Sequence, residues 1–254
     1  MKFPQHSFEG AGQPLFALHG FGGFALDFAP LAAVLKRPIN ALQLPFRERE
    51  GDYSTETLVR RLHASIDAAS IVLGYSMGAR LVLQWATRDI KPKPKGLILV
   101  SGTAGLRGEA LRQKRREGDL ALIKRITTDG VAPFFDWWAQ LPIIESQHRI
   151  AEPYQSQMRH RKQQYDATVL ADSLRYFGQG TMPSAWEALH NITCPVLLLV
   201  GAEDEKYGEI ASELMRALPK AELSVIPNAG HCPHLERPEA VAQQIHRWFD
   251  RQGF

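Results

Sequence analysis

Short apolar runs alternate with amphipathic stretches along most of this chain. The runs PLFALHG, INALQLP, SIVLGY, GLILVSG, PVLLLVG and AELSVIP have the length and composition of buried β-strands. Helical spacing of apolar side chains follows most of them, at about residues 25–36, 56–69, 77–88 and 209–218 and at the end of the chain. Because parallel strands need a crossover connection, this alternation predicts an α/β fold with a mostly parallel sheet flanked by helices.

The alternation stops between GLILVSG and PVLLLVG. Residues from about 104 to 190 contain helix-like patches, three tryptophans (Trp137, Trp138 and Trp186) and no convincing strand. We therefore expect a helical insert that forms a lid beside the sheet. The 254 residues fit one domain, residues 1–254, that carries this insert.

Charge and cysteine content exclude several classes of protein. A net charge of +3 is too small for the concentrated basic face of a nucleic-acid-binding protein, but a small anionic ligand fits. No apolar stretch approaches the roughly 20 residues of a membrane span, so no membrane insertion is expected. Cys194 and Cys232 are too few for a disulfide framework. We predict a cytoplasmic protein, a monomer or a weak homo-oligomer.

A serine stands between two glycines directly after the strand SIVLGY. The segment Gly74-Tyr75-Ser76-Met77-Gly78 matches G-x-S-x-G and precedes a predicted helix. On so sharp a turn the hydroxyl of Ser76 is exposed above the carboxyl edge of the sheet. A chance pair of glycines is the alternative, and the strand-turn-helix context argues against it.

A serine hydroxyl needs a histidine to take its proton and an acid to orient that histidine. Asp204 follows the strand PVLLLVG, with Glu203 and Glu205 as neighbouring rivals. His231 follows the strand AELSVIP in N-A-G-H, with His234 as a rival base. The order serine, acid, histidine is typical of the α/β-hydrolase fold. The two histidines lie outside any metal-binding helix motif, so neither a metal nor a cofactor is expected.

The glycine-rich turn LHGFGG ends the strand PLFALHG. Such a turn can aim backbone N–H groups at a developing oxyanion, and Phe21 and Met77 are the predicted donors. The same turn also matches a weak dinucleotide-binding pattern. That pattern requires an acid at the end of the next strand, where the chain reads ALQLP, so the nucleotide hypothesis fails.

The motifs LHGFGG, GYSMGAR, GAEDEKY and AGHCPHLERPE together resemble the α/β-hydrolase superfamily over nearly the whole chain. GYSMGAR, RQKRREGD, WWAQLP and RHRKQQYDATVLADSLR are more specifically similar to the SHCHC synthases of menaquinone biosynthesis. The resemblance implies a lyase that eliminates pyruvate from SEPHCHC, a cyclohexene bearing succinyl and enolpyruvyl groups, to give SHCHC. Ser76 would take a ring proton, with His231 and Asp204 raising its basicity.

The substrate of that family carries three carboxylates, which guanidinium groups bind in bidentate fashion. The resemblance implies substrate-binding roles for Arg80, Arg115, Arg161, Tyr75 and Trp138. Arg112 or Arg116 could replace Arg115, since the register of RQKRREGD is open. A solvated, salt-bridged lid face is the alternative for these arginines.

The chain departs from the family at two places. Family members usually carry Asp-x-Pro-Gly-His-Gly where this chain has LQLPFR, which predicts a different pocket wall near Arg47. Ala79 replaces a usual glycine, a small steric change. Two other functions stay open: a carboxylic-ester or carbon–carbon bond hydrolase acting on an anionic substrate, and a non-catalytic ligand-binding protein.

Overall fold

The computed structural model describes residues 2–45, 52–67, 70–89 and 91–254, which build one seven-stranded sheet. The strands are β1 (Gln5–Phe8), β2 (Leu15–Leu18), β3 (Ile39–Leu42), β4 (Ile71–Tyr75), β5 (Gly96–Val100), β6 (Val196–Gly201) and β7 (Ala221–Ile226). Their order across the sheet is β1-β3-β2-β4-β5-β6-β7. The β1–β3 pair is antiparallel and the other pairs are parallel. The predicted, mostly parallel α/β sheet is confirmed.

Helices connect the strands. They are α1 (Ala29–Leu35), α2 (Thr55–Ser65), α3 (Met77–Ala86), α4 (Glu109–Asp129), α5 (Val131–Trp138), α6 (Pro142–Glu145), α7 (Tyr154–Gln163), α8 (Ala167–Phe177), α9 (Glu205–Ala217), α10 (Pro233–Glu236) and α11 (Pro238–Gln252). Helix α9 begins four residues before the predicted start, because the Asp204 side chain accepts the N–H of Tyr207 and caps it. The order of elements puts α4 to α8 between β5 and β6, where the insert was expected.

The two faces of the sheet carry separate apolar cores, because side chains alternate between the faces of a strand. On one face, Phe16 and Leu18 belong to the cluster that contains Trp85 of α3. On the other face, Leu15 and Ala17 belong to the cluster that contains Trp248 of α11. Each fully buried large side chain contributes about 1.5–3 kcal/mol. This packing holds the strand ends, and the loops that follow them, in fixed positions.

Strand β1 was not predicted from the sequence. Its residues, QHSF, are mostly exposed, and it pairs antiparallel with β3 at one edge of the sheet. An exposed edge strand needs no apolar alternation, so the sequence carried no signal for it.

The insert packs against the loop that follows β2. A third apolar cluster joins Phe24 of that loop to Phe134 and Phe135 of α5 and to Leu170 and Leu174 of α8. The hydroxyl of Tyr165 also donates a hydrogen bond to the carbonyl of Gly23 (2.7 Å). The insert therefore covers the carboxyl edge of the sheet through both apolar and polar contacts.

Candidate active site

Three polar side chains meet above the carboxyl edge of the sheet, each on the loop after a parallel strand. Ser76 follows β4, Asp204 follows β6 and His231 follows β7. The Nδ1–H of His231 donates to Asp204 Oδ2 (2.6 Å), and its Nε2 lies 3.1 Å from Ser76 Oγ. This is the geometry of a serine activated by a histidine that an acid orients.

Ser76 has a backbone conformation that few non-glycine residues adopt, with φ 50° and ψ −106°. The flanking glycines make the turn possible. A Cβ at Gly74 would lie 2.6 Å from the Cα of Ala79, and a Cβ at Gly78 would collide with the carbonyl oxygen of Leu18. The G-x-S-x-G motif is therefore explained by the close approach of backbone to backbone at both positions.

Asp204 differs from the two rival acids, Glu203 and Glu205, in where its side chain lies. The side chain of Asp204 is buried against His231, whereas Glu203 forms an exposed ion pair with Arg149 (2.7 Å). Glu205 is exposed in the first turn of α9. Of the three acids, only Asp204 is hydrogen-bonded to His231 in the part of the chain that the structure describes.

His234 is buried against aromatic rings instead of contacting the serine. Its ring lies 4.5 Å from that of Tyr75 and 5.4 Å from that of Phe28, centroid to centroid. Burial lowers the pKa of His234 to about 3, with a smaller contribution from His231. His234 is therefore neutral at physiological pH, and His231 is the histidine placed to act as a base.

A buried carboxylate, missed in the sequence, holds the loop that carries His231. Glu236 is 3% exposed and accepts the N–H of Gly230 (2.7 Å) and the N–H of Cys232 (3.0 Å), one on each side of the histidine. It also accepts the hydroxyl of Ser146 (2.9 Å), which belongs to the insert. Its only sequence signal was its place in AGHCPHLERPE. Glu236 connects the insert to the histidine loop.

The predicted oxyanion donors are the backbone N–H groups of Phe21 and Met77. Both residues line the same cavity as Ser76, and neither N–H donates a hydrogen bond to another described residue. The buried His19 fixes the Phe21 turn, since its Nδ1–H donates to Gly20 O (2.8 Å) and its Nε2 accepts the N–H of Leu44 (3.1 Å). Two amide groups are thus available to an oxyanion.

A cavity of about 230 Å³ opens in front of Ser76, beneath the insert. Tyr75, Trp138, Arg80 and Arg115, all predicted to bind substrate, line it. The Trp138 ring stacks on Phe134 at 5.6 Å, which fixes the wall that α5 contributes. The cavity combines an apolar wall with cationic side chains, as a pocket for a cyclic anion requires.

Arg80 points from α3 into this cavity and is 5% exposed. One guanidinium nitrogen donates to the carbonyl of Phe177 (3.3 Å), while its Nε has no partner among the described residues. No carboxylate of the described chain forms an ion pair with it. Desolvation lowers the pKa of Arg80 to about 10. A buried cation with so few partners is a candidate receptor for an anionic ligand.

The structure distinguishes among the three arginines of the segment RQKRREGD in α4. Arg115 lines the cavity, and its Nη1 donates to the side chain of Gln179 (3.4 Å). Arg115 also forms an ion pair with the buried Asp119 (2.8 Å). Arg112 and Arg116 form ion pairs with Glu109 at 2.6 and 2.5 Å and do not line the cavity. Of the three, only Arg115 lines the cavity, and its role in substrate binding stays a prediction.

Arg161 is placed differently from the prediction. It does not line the cavity, because its guanidinium forms an ion pair with the buried Asp27 (2.7 Å). The charge of Arg161 is therefore balanced within the protein by the Asp27 carboxylate. The next residue, Lys162, was not singled out in the sequence, and it lines the cavity.

Among the described residues, no helix is long and apolar enough to cross a membrane, and no cluster of three potential metal ligands occurs. Both cysteines of the chain are free thiols. Arg47, at which a different pocket wall was predicted, lies outside the described residues.

Comparison with known proteins identifies relatives of the whole chain. The model of the alpha/beta hydrolase family matches residues 15–244. A Bacillus subtilis (strain 168) protein provisionally named 2-succinyl-6-hydroxy-2,4-cyclohexadiene-1-carboxylate synthase is 32% identical, over 92% of this chain and 89% of its own. The synthase of that name from Salmonella heidelberg (strain SL476) is 27% identical, over 96% and 97%. The solved structure of MenH from S. aureus superposes with a TM-score of 0.87 at 27% identity, covering 100% of both chains. The chain belongs to the alpha/beta hydrolase family and, within it, to the group of these synthases.

Proposed function

We propose that this protein is a lyase of menaquinone biosynthesis that eliminates pyruvate from SEPHCHC to form 2-succinyl-6-hydroxy-2,4-cyclohexadiene-1-carboxylate, SHCHC. The names of its relatives support this reaction. So does the combination of a serine–histidine–acid arrangement with arginines in one cavity. The ligand is a small cyclic anion, and no cofactor takes part.

The observation that carries the proposal is the environment of Arg80. It lies four residues after Ser76 on α3, about one helical turn away, and no described carboxylate pairs with it. Burying an unpaired cation costs free energy, so its retention beside the serine requires a compensating ligand. A substrate carboxylate supplies that compensation, whereas a neutral ester would not.

The proposed reaction is a proton abstraction followed by loss of a leaving group. Ser76 Oγ takes a ring proton of the substrate as its own proton passes to His231 Nε2, and Asp204 stabilises the imidazolium. The electron pair of the C–H bond forms a ring double bond beside the succinyl group, the existing ring double bond shifts by one position, and the C–O bond to the enolpyruvyl group breaks. The leaving enolate takes up a proton and becomes pyruvate.

Two further groups support this proton transfer. The N–H groups of Phe21 and Met77 stabilise negative charge that spreads onto the succinyl carbonyl oxygen when the neighbouring ring proton leaves. Arg80 and Arg115 hold carboxylates, so that the ring proton faces Ser76. The serine oxygen attacks hydrogen in this scheme, and no acyl-enzyme forms.

A hydrolase acting on an anionic ester is the second candidate. The available N–H groups of Phe21 and Met77 favour it, since they equally fit the oxyanion of an ester's tetrahedral intermediate. The two candidates differ in the bond that is broken and in the covalent intermediate.

Pyruvate release from freshly generated SEPHCHC tests the proposal, with Ser76→Ala, Arg80→Ala and an ester panel assayed in parallel. Arg175→Ala is the matched control, since Arg175 is exposed on α8 and pairs with Asp172. We expect rapid release that Ser76→Ala and Arg80→Ala abolish, and feeble ester cleavage. Release at the spontaneous rate, together with Ser76-dependent ester turnover and trapping of an acyl-enzyme, would establish the hydrolase instead.

A further inference from the structure

Helix α7 presents two neighbouring cations to different surroundings. The guanidinium of Arg161 pairs with Asp27 Oδ1, and the other oxygen of Asp27 accepts the N–H of Phe24 (2.8 Å). Both oxygens of this carboxylate are therefore occupied. Lys162 is one residue, about 100° of helical rotation, further along and turns towards the cavity.

Lys162 lies between two cavities. The reaction cavity contains Ser76, Arg80 and Arg115, and a second cavity of about 810 Å³ lies within the insert. The residues that line both are Trp138, Ile144, Gln147, Met158 and Lys162. Among these five, Lys162 is the only cation. We call this shared boundary, formed by the five residues, the neck.

The ammonium group of Lys162 has no ion-pair partner among the described residues. Asp27 is the carboxylate that acts on its charge, and Asp27 already forms an ion pair with Arg161. The Lys162 Nζ lies 5.5 Å from the centroid of the Phe135 ring. The side chain is half-buried, and burial lowers the pKa of Lys162. An anion bound at the neck would offset the free-energy cost of burying this unpaired ammonium group.

We propose that Lys162 binds the terminal carboxylate of the substrate's succinyl arm. This inference rests on the proposed function. The reacting ring must lie against Ser76, where Arg80 and Arg115 bind the carboxylates attached near the ring. The succinyl arm is the longest substituent, and its carboxylate is separated from the ring by a ketone and two methylene groups. The neck is the boundary of the cavity towards which that arm can extend, and Lys162 supplies the cation there.

Binding of two simple anions tests the contact between Lys162 and the terminal carboxylate. The compound 3-benzoylpropanoate carries a ring, a ketone and a terminal carboxylate in the same spacing as the succinyl arm, whereas benzoate carries the carboxylate on the ring itself. Binding of both to wild type, Lys162→Met, Lys162→Arg and Lys114→Met is measured by titration calorimetry. Lys114 is an exposed lysine of the insert outside the cavity and serves as the matched control.

We expect Lys162→Met to weaken 3-benzoylpropanoate binding roughly 10- to 100-fold, as the loss of a charge-assisted hydrogen bond implies. Lys162→Arg restores most of the affinity, Lys114→Met has no effect, and benzoate binding stays the same throughout. With SEPHCHC, Lys162→Met raises KM by a similar factor and changes kcat by less than about threefold.

Equal binding of 3-benzoylpropanoate by Lys162→Met and Lys114→Met would overturn the inference, as would the absence of binding to wild type. Lys162-dependent binding in an enzyme that releases no pyruvate would support the anion site while refuting the synthase. The two failures are therefore distinguishable.

Discussion

Replacing Arg80 with methionine should stabilise the protein while it abolishes the proposed activity. Burial lowers the pKa of Arg80 from its ordinary value to about 10, which means that folding disfavours the charged guanidinium. At about 1.4 kcal/mol for each factor of ten, this is a cost of about 3 kcal/mol at pH 7. Methionine keeps much of the apolar contact with the ring of Phe177 but loses the hydrogen bond to its carbonyl, worth about 1 kcal/mol. The expected gain in the free energy of unfolding is therefore about 1–2 kcal/mol.

Urea denaturation at pH 7 measures the stability of Arg80→Met, and pyruvate release measures its activity. We expect kcat/KM to fall by roughly a hundredfold or more, because a buried charge-assisted contact to substrate is lost. Arg175→Met, which removes an exposed arginine of α8, should leave both quantities nearly unchanged. A loss of more than about 1 kcal/mol in Arg80→Met would show that the guanidinium stabilises the fold, and the reasoning from its burial would be wrong.

Two further predictions concern His234 and the insert. Burial lowers the pKa of His234 to about 3. Between about pH 6.5 and pH 3 the unfolded chain therefore carries a proton on this side chain that the folded protein lacks. The free energy of unfolding consequently decreases as the pH is lowered through this range. His234→Leu should make that fall shallower by up to about 1.4 kcal/mol per pH unit in urea denaturation at pH 4–7, and an identical slope would contradict the low pKa. Ser146→Ala removes the hydrogen bond to Glu236 and should lower the free energy of unfolding by about 1 kcal/mol and kcat/KM several-fold. The control Ser156→Ala, on the exposed side of α7, should change neither quantity. Equal kinetics in the two variants would refute a link between the insert and the histidine loop.

The positions of Ser76, Asp204 and His231 could be predicted because each of these residues follows a strand that the apolar pattern identifies. Ser76 lies between two glycines after a continuous apolar run, and Asp204 and His231 follow two further runs of the same kind. Parallel strands bring their carboxyl ends to one edge, so the sequence order alone places these residues near each other. The roles proposed for them remain predictions, and the structure supplies the distances on which they rest.

The cationic groups were harder to predict because a helix gives each residue a different direction. Helix α4 has charged residues on nearly every side, and its packing against the rest of the insert, not its pattern, turns Arg115 to the cavity. On α7, Arg161 and Lys162 are both cations in a polar segment, and the buried Asp27 decides which of them stays available. No spacing rule in the sequence identifies such a distant partner. The same holds for Glu236, whose three donors come from two separate parts of the chain.

The contacts between the insert and the loop after β2 bear on how this scaffold could be altered. Asp27 accepts both the N–H of Phe24 and the guanidinium of Arg161, and Tyr165 binds the carbonyl of Gly23. The loop that presents the Phe21 amide is thus anchored to α7 and to the residues after it. Replacing the lid with a different one, or shortening it to admit larger compounds, would also free the loop that carries one of the two amides beside Ser76. A redesign of the substrate range must therefore keep Asp27, Arg161 and Tyr165 together.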